Sequence, residues 1–336
     1  MKIAHVLPYS ATFPLTVHNG RYEWVAQLAQ LQSHQGHDVT IYCNPSSILK
    51  GVRIRGIKIV SEYNKENNKN TFLLALGDSN DIYHSHFDNL HYELAHHTDK
   101  PIVFTQHWWP TDETVRLAQQ FKPENVWAIP PTHYMHQFDL TCSIRTNGHI
   151  YHGIDLSSFN REGALQRNGR LLFVGRISPE KNLDIAIRIA KKSKLGLDII
   201  GKVAEKNYDY WQTLTPLIDG VHIRYLGAKQ SSELPHYYMT ARALFFASDI
   251  TEAFGLVALE AQACGLPVIM QRGGSRGELI IEGETGYLCT SDDEFLDAAL
   301  RVENLKSQDC IDFAQSFDIS KMQQQYENLY RSLIAN

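Results

Sequence analysis

The sequence predicts an α/β protein made of two doubly wound, parallel-sheet domains. Three observations carry this reading. Short apolar runs alternate with longer helical patterns along nearly the whole chain, as they do where helices connect parallel strands. The alternation breaks over residues 152–168 and then restarts. The chain has 336 residues, 43% hydrophobic and 21% charged, enough for a core in each of two domains of ordinary size.

In the first half, strands are expected at Ile3–Leu7, Val39–Cys43, Ile57–Val60, Ile82–His86, Ile102–Gln106, Val126–Ile129, Leu140–Ile144 and His149–Tyr151. An amphipathic helix over Tyr22–His34, ended by Gly36, separates the first two, and the polar run Asn64–Asn70 reads as a surface loop. In the second half, strands are expected at Leu171–Val174, Leu197–Ile200, Val221–Leu226, Ala243–Phe246 and Val268–Met270. Helices are expected at Asn182–Lys192 and Ser232–Thr240, between Phe254 and Gly265, and at Met322–Leu333 with no strand after it. The expected domains are 1–152 and 153–319, with the C-terminal helix, about 320–336, packing back on the first.

Composition narrows the function. A net charge of −5 gives a nucleic-acid partner no electrostatic support. The five cysteines are widely spaced, without C-x-x-C, which suits buried thiols in a reducing cytoplasm better than disulfides or zinc. The apolar run at Met1–Pro8 is too short for a signal peptide, and no stretch approaches a membrane span. The expected setting is the cytoplasm or the inner face of a membrane. Fourteen of the sixteen histidines precede residue 153, but His91, His96 and His97 lack the spacing of a helical metal pair, so no metal is expected.

Two stretches carry the chemistry. In the first, Glu252 and Glu260 lie eight positions apart around Phe254-Gly255-Leu256-Val257, a tight turn running into a helix that Gly265 caps and Pro267 stops. Were both glutamates helical they would stand about 12 Å apart. If the helix starts near Gly255 instead, Glu252 precedes it, and free backbone N–H groups between the two carboxylates could meet an anion. In the second stretch, the strand ending at Gly175 is followed by Arg176, by Ser178 as N-cap, by Pro179 as first helical residue and by Lys181 in the first turn. A cation there is unfavourable against the helix dipole unless an anion is present, and two cations at one strand end suit a diphosphate. There is no G-x-G-x-x-G and no G-x-x-x-x-G-K-[ST]. Gly273–Glu278 is a glycine-rich turn after a strand. In the first half, His107 closes a strand just ahead of Trp108-Trp109, and Asn19-Gly20 ends a long loop before a helix.

Together these stretches resemble the retaining glycosyltransferases of family 4, which have the GT-B fold of two Rossmann-like domains facing across a cleft. Glu252 to Glu260 matches that family's E-x7-E element, and Gly175-Arg176 with Lys181 matches its G-R-[IL]-x-x-x-K. Tyr151-His152-Gly153-Ile154-Asp155 with Phe159 matches its interdomain N-G-[IV]-D…F segment. Within the family, Val174–Lys181, Arg224–Gly227 and Phe254–Val257 look closest to the avilamycin-pathway subgroup. The resemblance implies a donor-binding second domain in which Arg176, Lys181 and the amides of Phe254, Gly255, Leu256 and Val257 hold the diphosphate of a nucleotide sugar. It implies that Glu260 holds the ribose and Glu252 the sugar. On the acceptor side it implies that His107 contacts the sugar and that Gly20 lies near the phosphates. Asn19 stands where the family has a first glycine, His152 where it has asparagine, and one extra residue precedes Glu278.

The activity so implied is metal-independent, retaining transfer of a hexose-type sugar, UDP-linked first of all, to a carbohydrate, small-molecule or lipid-linked acceptor hydroxyl. A nucleotide-sugar epimerase, a glycan phosphorylase and a non-catalytic sugar-nucleotide binder are the competing readings on the same fold.

Overall fold

The computed structural model describes residues 1–15, 19–57, 65–159, 166–248 and 252–335. The chain forms two compact units, residues 1–153 with 319–336, and residues 154–318.

The first unit runs β1 (Lys2–Val6), α1 (Gly20–His34), β2 (Asp38–Tyr42), β3 (Arg53–Arg55), α2 (Lys65–Gly77), β4 (Ile82–Ser85), α3 (Leu90–Leu94), β5 (Ile102–Thr105), α4 (Asp112–Phe121), β6 (Val126–Ile129) and α5 (His133–Thr141). The second runs β7 (Leu171–Val174), α6 (Leu183–Ser193), β8 (Leu197–Ile200), α7 (Tyr208–Leu214), β9 (Ile223–Tyr225), α8 (Leu234–Thr240), β10 (Ala243–Phe246), α9 (Leu256–Ala263), β11 (Val268–Gln271), β12 (Gly286–Cys289), α10 (Asp292–Arg301) and α11 (Ser307–Ala314). The last helix, α12 (Ile319–Ala335), then returns to the first unit.

Each unit holds one six-stranded parallel sheet. The orders are β3-β2-β1-β4-β5-β6 and β12-β11-β10-β7-β8-β9, the same winding in both. Strands β7 and β10 are buried along their length, which is why they read as unbroken apolar runs rather than alternating ones. In each sheet the winding reverses between two neighbours, β1 beside β4 and β7 beside β10. The carboxyl ends flanking that reversal are where such sheets hold ligands. On the first sheet α12 buries Met322, Tyr326, Leu329 and Tyr330 against Trp24, Val25 and Leu28 of α1, and the Trp24 indole N–H donates to Met322 Sδ at 3.0 Å.

Four sequence readings are corrected. Asn67–Asn70 lies in α2, not in a loop, because the polar first turns continue into the buried face of Thr71, Phe72 and Ala75. Residues 140–144 are not a strand. Leu140 and Thr141 end α5, and the chain then meets β6 through an isolated bridge of Ala128 to Thr146 rather than as a strand. His149–Tyr151 is irregular, held by Ile150 N–H donating to Pro130 O at 3.1 Å. The edge strand expected at Ile57–Val60 forms earlier, at Arg53–Arg55, and residues 58–60 lie outside the described residues. β12, α3, α4, α7, α10 and α11 were not foreseen.

Candidate active site

In the second unit three post-strand loops are stitched together at the carboxyl edge of the sheet. The first follows β7. Gly175 N–H donates to Ile200 O at 3.0 Å, and the neighbouring Gly201 has no room for a side chain, since a Cβ there would stand 1.8 Å from Gly175 O. Pro179–Lys181 is a separate 3-10 turn with Ser178 at its N-cap, and left-handed Asn182 divides it from α6. Lys181 therefore does not sit in the first turn of α6, and the dipole argument made for it falls. Its ammonium instead forms an ion pair with Glu252 and lies 5.8 Å from the Phe246 ring centroid. Asn182 Nδ2 donates to Ala247 O at 2.9 Å, tying this loop to the end of β10.

The second loop follows β10 and carries Glu252, with Ala253 and Phe254 buried behind it. Gly255 has φ +113°, and a Cβ there would meet Phe246 at 3.1 Å, so glycine is required on both counts. Helix α9 begins at the next residue. Glu252 thus precedes the helix and Glu260 lies within it, which settles the alternative left open above. Among the described residues no side chain caps the N-terminus of α9. Glu260 is buried and accepts from the Tyr238 hydroxyl at 2.8 Å. Burial, and then the neighbouring Glu260 carboxylate, push the Tyr238 pKa well above its ordinary value, so Tyr238 remains a donor. Arg176 is half exposed and 3.4 Å from Glu180, a surface pair worth under about 1 kcal/mol.

The third loop follows β11, where Gly274–Glu278 is a 3-10 turn. Ser275 Oγ donates to Ala253 O at 3.2 Å, and buried Arg276 donates to Ser248 O at 2.7 Å and Gly273 O at 2.9 Å. Sequence reasoning missed Arg276, Ser275, Asn182 and Tyr238. The glycines around Arg276 were the only hint. Arg276→Ala would strip the buried Ser248 carbonyl of its guanidinium donor and open a cavity, so we expect it to lower unfolding stability by about 3 kcal/mol, read as a lower urea midpoint. An unchanged midpoint would show that Arg276 is not a brace.

In the first unit, Gly20 is the first residue of α1 and Asn19 its N-cap, with Asn19 Oδ1 accepting from Tyr22 N–H at 3.3 Å. Asn19 has φ −144°, extended backbone that any residue adopts, so no glycine is needed there. His107 follows β5 at the carboxyl edge, and its Nε2 lies 3.0 Å from His86 Nδ1. Burial is the main cause holding the His86 and His107 pKa values well below 6.5. Trp109 packs on Phe138 and Tyr134, while Trp108 is exposed.

Two histidine groups bring ligand atoms within 4.8 Å of one another, His5 with His84 and His86, and His133 with His136 and His149. Neither was foreseen. The second is partly exposed and offers three imidazoles of the kind that zinc or copper takes.

Comparison with solved structures supports the class first. The chain matches HepE of Anabaena, solved in complex with UDP and glucose, with a TM-score of 0.79 at 18% identity, covering 99% of this chain and 100% of that one. It matches AviGT4, a glycosyltransferase of avilamycin A biosynthesis, with a TM-score of 0.74 at 18% identity, covering 99% and 98%. The fold is GT-B, with two parallel six-stranded sheets.

The glycosyl transferases group 1 family model matches residues 157–317, nearly all of the second unit. Curated relatives agree. A D-inositol 3-phosphate glycosyltransferase of Frankia alni is 31% identical over 182 residues, covering 46% of this chain and 44% of the relative. A probable sucrose-phosphate synthase of Thermosipho melanesiensis is 30% identical over 141 residues, covering 40% and 33%. The chain spans less than half the length of the curated relatives it matches.

Proposed function

We propose that the protein is a retaining, metal-independent glycosyltransferase of family 4 that moves a hexose-type sugar from a nucleotide diphosphate, UDP first of all, to an acceptor hydroxyl. The observation that carries this is the meeting of the β7 and β10 loops in the second unit, where Lys181 pairs with Glu252 beside the uncapped start of α9.

Loss of the sugar from a diphosphate leaves negative charge on the phosphates and positive charge on the anomeric carbon. Lys181, Arg176 and the amides of Phe254–Val257 would take up the first, as preorganised donors that need little rearrangement. Glu252, released from Lys181 by the incoming diphosphate, would face the sugar. Glu260, which accepts from Tyr238, would meet the ribose. In this reading the second unit binds the donor, while the first, with His107 and Gly20, faces the sugar and the acceptor. The acceptor is a carbohydrate, a small molecule or a lipid-linked glycan. No helix among the described residues is long and apolar enough to cross a membrane. The proposed setting is the cytoplasm or the inner face of a membrane.

The test is a panel of nucleotide sugars. A donor bound at one hundred times its Kd should stabilise the fold by about 2.7 kcal/mol and raise Tm visibly. The same donor should then be consumed only with an acceptor, in EDTA, with anomeric configuration retained. Epimerised donor, or sugar released by inorganic phosphate, would overturn this in favour of an epimerase or a phosphorylase. Stabilisation without any turnover would leave a binding protein.

A further inference from the structure

The first unit carries a set of buried imidazoles between β1, β4 and β5 that the proposed chemistry does not use. His5 lies on β1, His84 on β4, and His86 just beyond it. Trp24 stands edge-on to His84, His86 and His107 at centroid distances of 5.3 to 6.3 Å. His84 has both ring nitrogens engaged, Nδ1 with the Tyr330 hydroxyl at 2.6 Å and Nε2 with Thr105 Oγ1 at 2.7 Å. With no lone pair left to offer, it cannot complete a metal site with His5 and His86.

The other imidazoles form a line. Gln32 Oε1 is 2.7 Å from His5 Nε2, His5 Nδ1 is 3.0 Å from His86 Nε2, and His86 Nδ1 is 3.0 Å from His107 Nε2. A neutral imidazole has one N–H and one lone pair. Each contact therefore holds one hydrogen, and placing one fixes the next. Burial keeps the rings neutral, with the His5 pKa lowered to about 4 and those of His86 and His107 held well below 6.5. The carbonyl oxygen of Gln32 only accepts, so His5 donates from Nε2 and accepts at Nδ1. His86 then donates from Nε2 and accepts at Nδ1, and His107 donates from Nε2.

We infer that Gln32, His5 and His86 are positioning residues that hold His107 as its Nε2–H tautomer, so that its Nδ1 presents a lone pair to a hydroxyl of the bound sugar. The tautomer stands on the hydrogen-bond geometry alone. The sugar hydroxyl rests on the proposed function. Arg21 is a cation that acts on the line, further lowering the pKa of His86 and His107.

The experiment is ring-nitrogen NMR of the full chain labelled at histidine. His107 should show a single tautomer with the hydrogen on Nε2. Gln32→Met, which removes the acceptor and nearly keeps the shape, should let His107 sample both tautomers. Donor turnover should fall about tenfold in kcat/KM, the loss expected for one misdirected hydrogen bond. With His86→Phe in place the line is cut, and adding Gln32→Met should change nothing further at His107. A wild-type His107 that averages its tautomers or carries its hydrogen on Nδ1, or one unmoved by Gln32→Met, overturns the inference. If the tautomer is fixed but the wild type turns over no nucleotide sugar, the functional reading fails and the relay stands.

Discussion

Lys181→Met is expected to lower kcat/KM for the nucleotide sugar by about 100-fold to 1,000-fold with Tm nearly unchanged, the loss typical of removing one preorganised charge partner from a developing anion. The reason lies in what Lys181 touches. Its ammonium pairs with Glu252, both side chains are mostly covered, and the pair stands between the β7 loop and the start of α9. A lysine held for stability alone would cost turnover little when replaced by methionine, which keeps most of the stem. A lysine that moves to the diphosphate would cost turnover heavily.

Glu252→Ala should be as damaging. The double variant should lose less than the two single losses combined, because partners that act as a unit are not additive. Arg188→Met, at the surface pair with Asp292, serves as the control and should leave turnover alone. Near-normal kinetics in Lys181→Met would remove the ground for placing the phosphates at this loop.

The second large effect concerns stability. Asp139 of α5 is fully buried, accepts one hydrogen bond from Gln106 Nε2 at 3.1 Å, and has no partner on its other oxygen. Burial, opposed by that bond, raises its pKa from 3.8 to about 7. The folded protein therefore holds this proton between those two values while the unfolded chain gives it up. The associated stability is complete below the unfolded pKa and is lost as pH rises through about 7. At pH 8 the buried carboxylate costs roughly 4 kcal/mol.

Asp139→Asn keeps the shape and the acceptor for Gln106. It should raise unfolding stability at pH 8 by about 2 kcal/mol, and the gap to wild type should close as pH falls toward 4. Urea unfolding at several pH values measures this. Equal stabilities at pH 8, or a gap that widens in acid, would show that Asp139 does not titrate in this way.

Much of the architecture was legible because buried parallel strands announce themselves. Leu171–Val174, Ala243–Phe246 and Val268–Met270 are unbroken apolar runs, since both of their faces are covered. Readings failed where local pattern and tertiary burial disagree. The polar start of α2 looked like a loop because its buried apolar residues, Phe72 and Ala75, come only in the later turns. Leu140 looked like strand because it is apolar, yet it is exposed at the end of a helix. Lys181 looked like the first turn of α6, but left-handed Asn182 closes a separate turn ahead of it, and no periodicity marks such a break.

The sequence by itself determined the α/β class, the residue types around the two glutamates, and the glycine that starts α9, because each follows from local burial, spacing or backbone freedom. Only the tertiary structure decided which of these residues meet. Residues 181 and 252 are far apart in the chain and become partners because the winding reverses between β7 and β10, which makes those two strands neighbours. His5, His86 and His107 line up for the same kind of reason, since the register of adjacent strands, unlike any spacing along the chain, sets the distance between their rings.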